Sequence, residues 1–248
     1  MSALLAAICL VPFIAPQDVP AGNLAGQLDA IHREYLKGPD IAGLVALDGK
    51  IRKLLHEPWK RAGQSIDGKH FKPAWSAIGI DVGHYSDALE YSGKLLVEAH
   101  RMNPVSELRR FTLFAAVMGE RPSHGLGEMP DVDVALQYLK EFPEGPFARE
   151  VAIILGDFYC DLFKVITRLQ EKEPSDYKYD CFGRYVKSTD LGAQAATARR
   201  LSVSYYAQAL ANAPAGWRET IDVRHRHSVM QGGNLKLIDA LGWHFCAD

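Results

Sequence analysis

The densest run of chemically capable side chains is Arg218–His227, which reads Arg-Glu-Thr-Ile-Asp-Val-Arg-His-Arg-His. His225 and His227 stand two apart, a spacing that converges on one metal ion only where the backbone is extended. On a helix each residue turns about 100°, so the two rings point about 200° apart. Asp222 then shares a face with His225 or with Arg226. The run has three readings: a solvated helix face carrying charge pairs, a metal site of His225 and His227 completed by Asp222 or His244, or an anion patch of Arg218, Arg224 and Arg226. Asp157 and Asp161 lie one helical turn apart and flank Tyr159 and Cys160. Such a pair can hold a cation or exchange protons in a cleft, but on so apolar a helix the expectation is an exposed edge. Tyr177, Tyr179, Phe182 and Tyr185 fall within nine residues of one another. Exposed, they would form a recognition surface of apolar area with polar tips; buried, they would seal the groove between neighbouring helical pairs. His84, His100 and His124 sit at or near helix ends, where exposed positions or neutral caps are expected.

No nucleophile elbow, P-loop, dinucleotide-binding glycine motif or HExxH pair occurs in the chain. Gly125-Leu126-Gly127 follows no strand and reads as turn chemistry. No cofactor is expected, and the only metal candidates are the weak set His225, His227 and Asp222. A net charge of −2, from 28 basic and 30 acidic residues, gives no global field for nucleic acid. Hydrophobic residues at 48% and charged residues at 23% describe an ordinary globular chain rather than a disordered one.

The elements that must position these groups are helical. Leu24, Leu28, Ile31 and Tyr35 follow 3/4 spacing after Asn23, and Gly38-Pro39 stops that helix. Leu44, Leu47, Ile51, Leu54 and Leu55 form the stripe of a second helix, expected to end at Pro58. A long connection over 57–83 comes next. Further helices are expected from about His84 or Ser86 to Pro104, over Val105–Met118, over Val132–Phe142 behind an Asp131 cap, over Phe147–Leu169, over Leu191–Ala211 behind an Asp190 cap, and over Trp217–Val229. Gly232-Gly233 separates a C-terminal piece, Asn234–Asp248. Alternation of period two is weak throughout.

Ala3–Ala15 is an uncharged apolar run of signal-peptide length, too short to span a bilayer. Val19-Pro20-Ala21 offers a small-x-small end, so residues 1–21 are expected to be a cleaved signal and 22–248 a single helical domain. The run has no basic residue before it, which leaves a buried N-terminal helix as the alternative. Cys9 follows Ile8 rather than a small residue, which argues against lipidation. Cleavage would leave Cys160, Cys181 and Cys246. The first two can pair, or all three can be small buried hydrophobes.

Helices close at Pro104, Pro143, Pro174 and Pro214, at intervals of 39, 31 and 40 residues. Ser92, Leu96, Ala99 and Pro104 share the spacings of Ser202, Tyr206, Ala209 and Pro214. Small residues let antiparallel helices approach, a bulky one fills the gap, and proline blocks continuation. With Leu155, Gly156 and Tyr159, and an aromatic-proline step at Phe142-Pro143, the stretch over about 85–214 resembles the tetratricopeptide repeats of bacterial envelope proteins. The expected fold is all-α: antiparallel helix pairs stacked as a tetratricopeptide-like array or an irregular helical bundle. The resemblance implies a non-enzymatic scaffold or adaptor, exported to the periplasm or beyond, that binds a protein or peptide partner. The alternatives are a metal-dependent helical enzyme using Asp222, His225 and His227, and a carrier of a small apolar ligand.

Overall fold

In a computed structural model, residues 21–62, 66–83, 87–118, 129–171, 182–186 and 189–241 are described. They are all-α apart from one two-stranded ribbon. The helices are α1 (Ala21–Tyr35), α2 (Ile41–Ala62), α3 (Lys94–Met102), α4 (Arg109–Met118), α5 (Val132–Glu141), α6 (Ala148–Gln170), α7 (Leu191–Leu210), α8 (Arg218–Gly232) and α9 (Leu235–Asp239). Strands β1 (Ile80–Val82) and β2 (Leu89–Tyr91) pair antiparallel, with Asp81 opposite Glu90. Among the described residues, no helix is long and apolar enough to cross a membrane.

Caps fall where the residue types call for them. Asp131 Oδ1 accepts from Val134 N at 3.0 Å, Asp190 Oδ1 from Ala193 N at 2.9 Å, and Asn234 Oδ1 from Lys236 N at 3.1 Å. At the other end of α8, Gly233 takes φ +71 and donates to Val229 O. Arg199 of α7 reaches the last α8 carbonyls, those of Met230 and Gln231, at 2.8 Å each.

Two expectations are corrected. Pro58 does not end α2, which runs one further turn to Ala62. Proline removes one ladder hydrogen bond and crowds the preceding turn, but the last turn is held from outside. Lys60 is anchored from outside on Glu150 of α6 at 2.8 Å, and within α2 Arg61 pairs with Glu57 at 2.9 Å. The helix expected from about His84 or Ser86 does not include Leu89 either: that residue lies in β2, where its N–H donates to Ile66 O at 2.7 Å, and α3 starts only after Gly93 at φ +79.

Two hydrophobic cores result. The N-terminal core gathers Leu24, Leu28 and Ile31 of α1, Leu44, Leu47, Ile51 and Leu55 of α2, then Trp75, Ile78 and Ile80. Trp75 is fully buried, and its Nε1–H donates to Asp29 at 2.9 Å, tying the ribbon segment to α1. The larger core belongs to α4–α9, with α6 at its centre. Helix α3 serves both, giving Leu95 and Ala99 to the first and Leu96 and Val97 to the second.

The connections α3–α4 and α5–α6 are the same turn. Ser106 N donates to Asn103 O and Arg109 N to Ser106 O; at equivalent positions Gly145 N donates to Phe142 O and Ala148 N to Gly145 O. Pro104 and Pro143 occupy the same place in it.

Candidate functional site

Helix α6 carries the polar groups, and its partners decide what those groups can do. Gly156 has no side chain to hold α7 away, so the ring of Tyr206 lies where a β-carbon would stand, 2.6 Å from an ideal Cβ position. Ser202 Oγ donates to Gly156 O at 2.8 Å along the same seam. Close approach of this kind is what small residues at a helix crossing allow. It places the Tyr206 hydroxyl 2.6 Å from Asp157 Oδ1, and the same carboxylate takes Arg226 Nη1 of α8 at 2.6 and 2.7 Å. One carboxylate therefore binds three helices together. Burial, then the Asp157 charge, pushes the Tyr206 phenol well above its ordinary value, which keeps it a neutral donor.

Asp157 and Asp161 are not an exposed edge. Their side chains are only 14% and 6% exposed, and each faces a cation: Arg226 for Asp157, and Lys164 at 2.8 Å for Asp161. Lys164 also donates to the Leu241 carbonyl, fastening the end of α9 to α6. Between the two aspartates, Cys160 is buried, and its thiol is pushed up to about 12 by burial and the Asp161 charge. A thiol this protonated is a poor nucleophile. Cys160 is expected to resist iodoacetamide in the native chain at mildly alkaline pH and to label fully in denaturant. Mass mapping of the Cys160 peptide checks this.

Of the aromatic group, Phe182 is buried and stacked on Phe158 at 5.7 Å, closing the seam beside α6. Tyr185 is half-buried, edge-on to Phe158 at 4.8 Å, with the Arg184 guanidinium 4.8 Å from its ring centroid. Gln194 of α7 holds the Tyr185 carbonyl at 2.6 Å. Tyr177 and Tyr179 lie outside the described residues, as do His84, His124, His244, Cys9, Cys181 and Cys246. Sequence reading missed the two tyrosines that extend this surface. Tyr159 and Tyr205 stack at 5.8 Å with their planes 11° apart, and both are half-buried. The available signal was their position one residue away from Phe158 and Tyr206, on the rim of the same seam.

In α8 the backbone is helical through both histidines, so His225 is exposed while His227 turns to a half-buried side. Asp222 stands 3.9 Å from Arg218 in an exposed pair. Arg224 is exposed and Arg226 is engaged by Asp157. Among the described residues no three His, Cys, Asp or Glu side chains are grouped as metal ligands. His100 is half-buried and held below its ordinary value by burial and the nearby Arg109.

A second charged group joins α2 to the starts of α6 and α8. Lys60 lies 2.8 Å from Glu150 and 3.7 Å from Glu219, while Arg149 meets Glu219 at 3.0 Å and Thr220 Oγ1 at 2.7 Å. Trp217 is ringed by Lys60, Arg61 and Arg149, each 5.8 to 5.9 Å from its centroid. Acids in the first turns of α6 and α8 and bases in the last turn of α2 complement all three helix dipoles. A cavity of about 110 Å³ opens between α6 and α9, lined by Phe163, Lys164, Thr167, Arg168, Leu235 and Ile238 among others. It is far below the ~300 Å³ of a small-molecule pocket.

Compared with protein-family models, curated proteins and solved structures, the chain matches none.

Proposed function

We propose that this protein is a non-enzymatic helical scaffold of the cell envelope, built on tetratricopeptide-like helix pairs and binding a protein or peptide partner. The observation that carries the reading is the rim of tyrosines on the α6–α7 seam. Tyr159, Tyr185 and Tyr205 keep part of their rings in solvent, while the aspartates of the same helix are turned inward and paired. Half-exposed tyrosine supplies contact area at low entropic cost and a hydroxyl for orientation, the composition of recognition surfaces. The repeated turn at Pro104 and Pro143 supports the repeat reading, since equal joints stack successive pairs alike. Export is inferred from the apolar run Ala3–Ala15. Cleavage after Ala21 would leave Leu24, Leu28 and Ile31 of α1 in the N-terminal core.

The test is capture of partners from a cross-linked envelope extract by the tagged full-length chain, beside the Tyr185→Ser/Tyr205→Ser variant. A partner recovered reciprocally with the wild type and reduced at least tenfold with a variant of unchanged circular dichroism is the expected result. Equal recovery by both chains, or no partner above background, overturns the tyrosine rim as the binding face.

A further inference from the structure

Helix α2 presents two different faces. Leu44, Leu47, Ile51 and Leu55 enter the N-terminal core. The other side, carrying Val45, Asp48, Arg52 and Lys60, is turned to the α4–α9 array: Val45 packs against that core, and Lys60 ends between Glu150 and Glu219. Arg52 is the central contact. Its guanidinium carbon lies 5.4 Å from the ring centroid of Tyr91, 5.5 Å from Phe114 and 5.0 Å from Phe147. Tyr91 packs against the N-terminal core, whereas Phe114 and Phe147 belong to the array and stack on each other at 4.4 Å. Asp48 completes the cage, taking Arg52 Nε at 2.7 Å and the Tyr91 hydroxyl at 2.7 Å while only 2% exposed. A desolvated guanidinium over aromatic faces is stabilised electrostatically by the ring quadrupoles, and its withdrawal into water would leave the Asp48 carboxylate buried without its cation.

We propose that α2 is a latch between the two cores. Arg52 in the cage and Lys60 between two glutamates hold the N-terminal unit closed, and α3, which gives side chains to both cores, is the shared wall along which they would part. Opening it would uncover the stacked Phe114–Phe147 pair, an apolar surface the closed chain covers. The device is independent of the scaffold reading and holds whatever the chain binds.

Native-state hydrogen exchange by mass spectrometry on the full chain tests the latch. In the wild type, the most protected amides of α1–α2 and of α6–α7 are expected to exchange in one cooperative event. In Arg52→Ala/Lys60→Met, α1–α2 should exchange at least tenfold faster than α6–α7, and a low concentration of methylguanidinium should slow it again relative to sodium chloride. Should the double variant not fold, Arg52→Lys, which keeps the charge and loses the planar stack, should show the same split to a smaller degree. Cores that exchange independently in the wild type, or that accelerate equally in every folded variant, overturn the proposal.

Discussion

Asp157→Ala is expected to lower stability by about 3–5 kcal/mol, enough to leave most chains of this size marginal or unfolded. The loss comes less from attractions removed than from what stays behind. Arg226 is only 16% exposed in its side chain and Tyr206 is fully buried, so both donors remain without the acceptor that justified burying them. Urea denaturation monitored by far-ultraviolet circular dichroism measures the effect. Asp157→Asn should cost less, since an amide oxygen still receives one donor. Asp222→Ala removes a carboxylate from an exposed pair at 3.9 Å and should change stability by under about 1 kcal/mol. The combination Asp157→Leu/Arg226→Met/Tyr206→Phe removes charges and donors together and should recover much of the loss, as replaced buried ion pairs commonly do. If Asp157→Ala and Asp222→Ala behave alike, the three-helix junction is not a principal support of the fold.

The second large effect is at Gly156. Helix propensity alone makes Gly→Ala favourable by about 1 kcal/mol in a helix interior. The packing predicts the opposite sign. An alanine Cβ would stand 2.6 Å from two ring carbons of Tyr206, and the ring cannot step aside because its hydroxyl is fixed on Asp157 and the residue is fully buried. Overpacking of this kind typically costs about 1–3 kcal/mol, so Gly156→Ala should be destabilising on balance and Gly156→Val more so. Against a Tyr206→Leu background the penalty should shrink, a coupling that a double-mutant cycle measures directly. A stabilised Gly156→Ala chain would show that α6 and α7 do not pack as closely as described.

These two residues also show where sequence reading reaches and where it stops. Gly156 was legible because a glycine beside a leucine inside an otherwise regular helix has few purposes other than close packing. The Ser202, Tyr206, Ala209 spacing supplied the matching face. The Asp131 and Asp190 caps were legible because capping is a local transaction over three residues. Asp157 was not. Its partner Arg226 lies 69 residues away, and an aspartate on an apolar helix carries no local mark that separates a solvated edge from a buried junction. Pro58 misled for the same reason, since the contacts that carry α2 past it come from Glu150, 90 residues from Lys60. Strands of three residues are too short for a period of two to register, so β1 reads as connection and β2 as the first turns of a helix. For the aromatic group, composition marks the segment but cannot tell Phe182, which is sealed in, from Tyr185, which reaches solvent.

The shared turn after α3 and α5 is one joint used twice. The two joints, 39 residues apart, share the same hydrogen bonds and the same proline. A closed bundle has a fixed helix number, because every added helix must find room in one shared interior. A chain assembled from equal joints has no such ceiling: duplicating one unit inserts a segment that meets its own kind on both sides. A chain of that kind lengthens one unit at a time, and since each unit adds its own stability and one more interface, its stability grows together with its reach.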